Sequence, residues 1–565
     1  LRSPQGVEHR TTPEAECLHR HPASKSAKSP IHPPTNPRSV SPGSSNEGEE
    51  DYNIARLTFH DRRASMTLTR SSGIPKRRRL IRLLWVALTL TTLLLTQLPS
   101  LARQDLASAP EYEFRGVWAA SVVNIDWPSS PNLSTNQQQA ELIGILNRMQ
   151  ELNLNALILQ IRPAGDALYY SDTEPWSYWL TGQQGRPPSP FYDPLEFAIE
   201  EAHDRNIELH AWFNPYRAKL GGSYDLAANN MARQYPQYAY SYRNLIWMDP
   251  GAKVIQDRAY DVILDVVNRY SIDGVHLDDY FYPYPEPGVE FPDDNTYGEY
   301  RKNGGRLSRD DWRRDNVNRL VRRLYDGIKA AKPQVKFGIS PFGIYRPGQP
   351  AGIRGMDQFA QIYADPKLWL EQGWVDYMAP QLYWRIDPPQ QSYPRLLDWW
   401  LSHNPYRRHI YTGNYLSRLN DSDWPISEFL RQVDITRRSS SRDSLGNIFF
   451  SVKVFMENRF GVNESFRSRL YPTPALIPPM PWLDSQAPDA PQGVETTANG
   501  IHWQPQYSED VRSLALYKRQ NRHWQLKQVL SRNQTEVEVS PGRYALRTVD
   551  ALSNQSDPVE ITITP

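Results

Sequence analysis

The chain has a single cysteine, Cys17, in 565 residues, and it lies in an N-terminal stretch expected to be absent from the mature protein. Intrachain disulfides, cysteine nucleophiles and a lipid-modified cysteine at a cleavage site are therefore excluded. An excess of one charge is also lacking: 64 Lys and Arg against 63 Asp and Glu leave +1, so nothing electrostatic points to nucleic acid. Long apolar runs are scarce, and the clearest, residues 83–95, is short of the ~20 residues that a spanning helix needs. No GxSxG elbow and no glycine-rich phosphate loop occur, which removes the usual motifs of serine and phosphate chemistry. Beyond the N-terminal stretch there is no HxH, HxxxH or HExxH to complete a tight zinc site. The one HxH, His19 to His21, precedes the expected start of the protein. No metal or other cofactor is expected.

Prolines (48), tryptophans (17) and tyrosines (32) are plentiful. Aromatic side chains beside a modest apolar fraction suit a protein that stacks flat ligands, and sugars are the commonest of these outside the cell. Residues 1–65 are rich in Pro, Ser and charge without apolar periodicity, and cannot bury enough surface to order themselves. From Met66 the sequence changes. Lys76 to Arg79 form a basic region, residues 83–95 an apolar core, and "SLA" at 100–102 a small-residue cleavage site, the three parts of a signal peptide. We read residues 1–65 as an upstream extension, 66–102 as a signal peptide, and the mature protein as exported to the periplasm or cell envelope with no stable membrane insertion after cleavage.

Residues 103–483 alternate between short β-branched or aromatic runs and amphipathic helical stretches. The strand candidates are "EFRGVWAAS", "NALILQIRP", "IELHAWFNP", "DGVHLDDYF", "VKFGISPFG", "VDYMAPQLYW", "HIYTGNYLS" and "NIFFSVKVFM". Eight strand–helix units predict parallel pairing and an α/β fold of the (β/α)8 TIM barrel type, with a doubly wound sheet as the alternative. Polar residues gather at the strand ends: Gln160 and Arg162, Asn214 and Arg217, Asp278 and Asp279, Gln381, Tyr383 and Trp384, and Asn414 with Tyr415. In a barrel that end carries function. Residues 484–565 read as seven short alternating segments, predicting a small all-β sandwich. Trp503 and "YALRTVDALSNQS" in it resemble a fibronectin type III module.

The stretch "GVHLDDYFYPYP" holds the leading candidates for chemistry. Side chains alternate across a strand, so Val275 and Leu277 facing helices would turn His276 and Asp278 towards the barrel axis. Asp279 falls where strand gives way to loop. A carboxylate here can act as nucleophile or stabilise an oxocarbenium-like transition state while a second carboxyl protonates the leaving oxygen. Adjacent acids also raise one another's pKa. Asp278 and Asp279 are the candidate catalytic pair. Tyr280, Tyr282, Tyr284, Tyr383 and Trp384 suit sugar stacking, while Arg, Asn and Gln at the rim suit hydroxyl or acetamido groups.

Six segments in order, "EFRGVWAASVVNIDWPS", "LILQIRPAGDALYYSDTEPWSYWLTGQQG", "HAWFNPYRA", "GVHLDDYFYPYP", "FGISPFGIYRPG" and "APQLYW", resemble the glycosyl-hydrolase-like family 10 proteins of the bacterial envelope. The resemblance implies an exported barrel hydrolase, related to a protein that cleaves peptide-free peptidoglycan glycan strands. It carries Asp278 and Asp279 over as the strand-four acids, and Arg162, Asp166, Asn214, Arg217, Gln381 and Tyr383 as further rim positions, with Asp126 as another motif acid. The acid/base partner stays open among Asp279, Asp166, Asp126 and, outside the resembling segments, Glu457 and Asp387. The expected partner is a polysaccharide. A wall-binding protein without catalysis and a metal-dependent carbohydrate deacetylase are the alternative readings.

Overall fold

The computed structural model describes residues 106–564 apart from 507 and 509. The expected upstream extension, signal peptide and Cys17 lie outside these residues. Among the described residues, no helix is long and apolar enough to cross a membrane.

Eight parallel strands close into a barrel: β1 (Phe114–Ala119), β2 (Ala156–Arg162), β3 (Glu208–Phe213), β4 (Gly274–Leu277), β5 (Lys336–Ile339), β6 (Tyr377–Met378), β7 (His409–Asn414) and β8 (Ser444–Phe449), with β8 returning to β1. Alternation along each strand explains the two apolar layers. Val117, Leu157, Leu159, Leu209, Ala211, Val275, Leu277 and Phe337 point outwards and pack with helix residues such as Leu142, Ile145, Val266 and Leu320. Their neighbours Phe114, Trp118, Ile158, Trp212, Tyr377, Tyr411 and Ile448 fill the interior. So many rings fit because other strands supply glycine. A Cβ on Gly338 would collide with the Tyr377 ring, and one on Gly274 with the His210 imidazole.

The helices between strands carry their own start signals. Thr135–Glu151 begins with a capping box in which Ser134 and Gln137 satisfy each other's backbone N–H groups. Pro194–Asp204 starts on proline with Asp193 accepting from Leu195 and Glu196. Arg309–Ala331 is capped by Ser308.

Three local features depart from the sequence reading. The sixth strand is only two residues long, because Pro380 has no N–H to donate; ladder pairing resumes as single bridges from Gln381 to Phe342 and Gly413. "VKVFM", expected to continue the eighth strand, is a helix, Val452–Met456, with Val452 and Phe455 buried one turn apart and Lys453 and Met456 exposed. Between β3 and β4 a three-stranded antiparallel sheet is inserted, from Arg217–Leu220, Ala239–Tyr242 and Leu245–Met248. Its Trp247 indole donates to the Phe281 carbonyl at 3.1 Å, bracing the loop that follows β4.

After the barrel come two antiparallel sheets. One has three strands (Glu495–Thr496, Gly500–His502, Glu536–Glu538) and the other four (Ser513–Gln520, His523–Ser531, Gly542–Val549, Val559–Ile563). They enclose Ile501, Trp503, Leu514, Leu516, Tyr544 and Leu546. The Tyr544 hydroxyl donates to the Ser540 carbonyl at 2.7 Å, locking the chain where it enters its strand. This sandwich sits at the N-terminal end of the barrel. Arg512 donates to the Ile207 carbonyl (3.2 Å), Asn206 to Val529 (3.1 Å) and Lys336 to Ala551 (3.2 Å). The opposite end, where the strands finish, is left to the βα loops.

Candidate active site

Asp278 follows the last residue of β4 and continues its inward alternation. It is 5% exposed, and Asp279 is 2% exposed. The Trp212 indole, from the inner face of β3, donates to Asp278 Oδ2 at 3.0 Å. The Asn214 amide lies 3.3 and 3.4 Å from its two oxygens, and the Tyr280 backbone N–H donates to Oδ1 at 3.2 Å. Burial pushes this carboxyl up, against the Arg217 charge and those donors, which favour the ionised form. Arg217 is itself fixed by its Nε–H on the Pro163 carbonyl (2.8 Å) and lies over the Tyr280 ring.

Asp279 also turns into the mouth, because the strand has ended and alternation no longer governs it. It accepts from the Tyr284 hydroxyl. Burial, and next the charge of Asp278, push its carboxyl up to about 7, with Tyr284 and Gln381 opposing. The pair is thus asymmetric. Asp278 has three donor groups and a cation around it, whereas Asp279 is pushed up to about 7.

A crescent of half-buried rings runs round the mouth. Tyr280 and Tyr284 stand 5.3 Å apart, Tyr284 and Phe342 6.5 Å, and Phe342 meets Trp384 edge-on at 5.4 Å. Tyr383 stacks on Tyr415 at 4.7 Å, and both approach Phe450, which lies 6.4 Å from Trp118. Of the residues expected from sequence, the structure brings Asp278, Asp279, Asn214, Arg217, Tyr280, Gln381, Tyr383 and Trp384 together.

The others are engaged elsewhere. His276 lies inside the barrel below the acids. Trp118 can only donate to its Nε2 (3.2 Å), so Nδ1 carries the proton towards the Tyr377 hydroxyl (3.0 Å), which reaches His210 Nδ1 (2.9 Å) and through it Glu208 (3.0 Å). Burial, then His210, hold its pKa well below the usual value, so it is a neutral link in an internal hydrogen-bond chain. Arg162 pairs with Glu174 (3.1 Å) and the Asn214 carbonyl (2.7 Å), both buried. Asp166 is fully buried and accepts from the Ala164 N–H (2.9 Å). Asp126 clasps the loops after β1 and β8, accepting from Ala120 N–H (2.8 Å), the Ser451 hydroxyl (2.6 Å) and Lys453 N–H (3.2 Å). Tyr282 is core, packed edge-on against Phe291 and Tyr363. Asn414 bonds Gln432 (2.7 Å) and Asn447 (2.8 Å) behind the mouth. Glu457 is exposed and paired with Arg459 at 2.6 Å, because the helix that replaced the expected strand carries it outwards. At these seven positions the structure shows side chains engaged with other parts of the protein rather than with the Asp278 and Asp279 carboxyls.

Sequence reasoning missed Trp212 as the partner of Asp278, and Phe342 and Phe450 as mouth residues. The signal for Trp212 was there: it shares a strand face with Asn214 and His210. Among the described residues, no group of three or more His, Cys, Asp and Glu side chains is arranged to hold a metal ion.

A family model described as Glycosyl hydrolase-like 10 matches residues 113–425. Glycosyl hydrolase YngK of Bacillus subtilis (strain 168) is 44% identical over 397 residues, covering 68% of this chain and 77% of that protein. Glycosyl hydrolase DigH of Escherichia coli (strain K12) is 37% identical over 354 residues, 57% of this chain and 79% of that protein. Among solved structures, the glycoside hydrolase domain of PgaB from Bordetella bronchiseptica superposes with a TM-score of 0.41 at 12% identity, covering 64% of this chain and 99% of that one, too distant to argue from.

Proposed function

This chain belongs to the glycosyl hydrolase-like 10 family, and from that premise we propose that it hydrolyses glycosidic bonds in amino-sugar polymers, with peptide-free peptidoglycan strands as the best-suited substrate. The observation that carries this reading is the asymmetric pair at the barrel mouth. Asp279, buried and held up to about 7, keeps its proton in a large fraction of molecules at neutral pH and supplies the proton a leaving sugar oxygen needs. Asp278, clasped by Trp212 and Asn214 beside Arg217, supplies fixed negative charge where the sugar ring turns positive. The aromatic crescent provides faces for sugar rings on both sides of the cleavage point. The substrate class follows from the family resemblance and from the amide-like donors and acceptors around the mouth. The export to the periplasm or envelope expected from residues 66–102 supports this reading, since such strands occur there.

The test is incubation with peptide-free strands and mass analysis of the products. Cleavage gives shorter oligosaccharides with new reducing ends, and Asp279→Asn lowers turnover by about 10²–10⁴-fold, the contribution of a positioned general acid. Strand binding without new ends would instead establish a binding protein, and acetate release without chain cleavage a deacetylase.

A further inference from the structure

We propose that the nucleophile is the substrate's own 2-acetamido group, and that Asp278 is the residue that orients it. The inference rests on the hydrolase reading above and specifies its chemistry. Glycosidases that use two carboxyls place them on opposite sides of the scissile bond, about 5–5.5 Å apart for retention and about 6.5–9.5 Å for inversion. Here the two acids are consecutive residues at the end of one strand, so both rise from the same wall of the mouth, within one ~3.8 Å Cα step of each other. The other carboxylates weighed as partners are occupied. Asp126 binds two backbone N–H groups and Ser451. Asp166 is sealed in beside Ala164 and Gln184. Glu174 is held between Arg162 and Arg258. Glu457 and Asp387 are exposed, paired with Arg459 and Arg431.

Asp278 is also built as an anchor. A carboxylate nucleophile must advance an oxygen onto the anomeric carbon, and both oxygens of Asp278 already accept from fixed donors, Trp212, Asn214 and the Tyr280 N–H. Such a carboxylate can still accept one more N–H along a remaining lone pair. The N–H of a 2-acetamido group is a donor of that kind, and its carbonyl oxygen then lies beneath the anomeric carbon.

The steps balance with these groups alone. Asp279 gives its proton to the glycosidic oxygen as the C1–O bond breaks, and the acetamido carbonyl oxygen bonds to C1, forming an oxazolinium whose N–H is held by the Asp278 carboxylate. The leaving sugar departs with a hydroxyl. Asp279, now a carboxylate, takes a proton from water, whose oxygen attacks C1 and releases the ring as the acetamide. One water is consumed, Asp279 is reprotonated, and the anomeric configuration is retained.

The experiment uses the wild-type chain and peptide-free strands whose amino groups carry acetyl, fluoroacetyl, difluoroacetyl or trifluoroacetyl. These acyl groups differ little in size, while each fluorine weakens the carbonyl as a nucleophile. The expected result is a fall in kcat of about tenfold or more for each fluorine with KM nearly unchanged, as for a group acting in the transition state, together with retained configuration in the first product seen by NMR. Asp278→Asn lowers kcat by about 10²-fold or more on the acetyl strands. Equal rates across the series, or inverted product, would overturn this inference and leave the hydrolase reading standing. No cleavage of even the acetyl strands would overturn both.

Discussion

Asp273 and Asp278 stand at the foot and the head of the same strand, and the fold treats their carboxyls in opposite ways. At the foot, the side chain of Asp273 is largely shielded from water, which alone would raise its pKa. Yet Arg512 from the sandwich at 3.5 Å and His203 at 2.9 Å hold it well below the usual carboxylate range. Glu208 beside it is likewise buried but lowered, chiefly by Lys336. At the head, burial is left largely uncompensated, and Asp278 and Asp279 both rise. The foot is where the two domains are pinned together with matched charges. The head is where burial outweighs the compensating groups, as the proposed hydrolysis requires. On the proposed function, the same strand serves stability at one end and chemistry at the other, the division of labour usual in barrels.

The contrast can be broken from either end. Asp273→Asn leaves Arg512 without its buried counter-charge and should cost about 3–5 kcal/mol at pH 7, read by denaturant unfolding. Because the folded pKa of Asp273 is depressed, its contribution is present above the unfolded value of about 3.9 and is lost as pH falls below it, so the cost of the variant should shrink in acid. Equal destabilisation at pH 3 and pH 7 would remove electrostatic pairing as the cause. Asp279→Asn should act in the opposite direction. Its folded pKa is raised to about 7, so the native state loses stability as pH climbs from about 4 towards 7. The variant should therefore match wild type at pH 4 and gain up to ~4 kcal/mol at pH 8, while losing turnover. A smaller effect sharpens the pair itself. Trp212→Phe removes one donor to Asp278 and should lower kcat by about tenfold, roughly the ~1.5 kcal/mol of a hydrogen bond to a charged group, without altering the unfolding midpoint beyond that amount.

Much of this was legible in the residues before any coordinates. Period-two alternation placed Val275 and Leu277 against helices and turned His276 and Asp278 inward, and eight such runs separated by helical stretches implied the closed barrel. The readings that changed share a physical cause: local pattern does not report which partner arrives from elsewhere in the chain. "KVFM" has the spacing of a strand, and only packing makes it a helix and sends Glu457 into solvent. Tyr280, Tyr282 and Tyr284 look equivalent in sequence, yet Tyr282 is core against Phe291 while Tyr284 holds Asp279. Arg162 and Asp166 sit at a strand end as expected, but Glu174 and Ala164 engage them first.

By itself, then, the sequence determined the barrel, its polar rim and the strand that bears the acids, because strand and helix periodicity and the separation of apolar from polar faces are local properties of the chain. Only the tertiary structure decided how far the carboxyls of these two acids are pushed up. That depends on burial and on the distances to Trp212, Asn214, Arg217, Tyr284 and Gln381, groups brought together from three barrel strands and the loops beyond them. A carboxyl's pKa follows from the field of its neighbours, and neighbours exist only once the chain has closed.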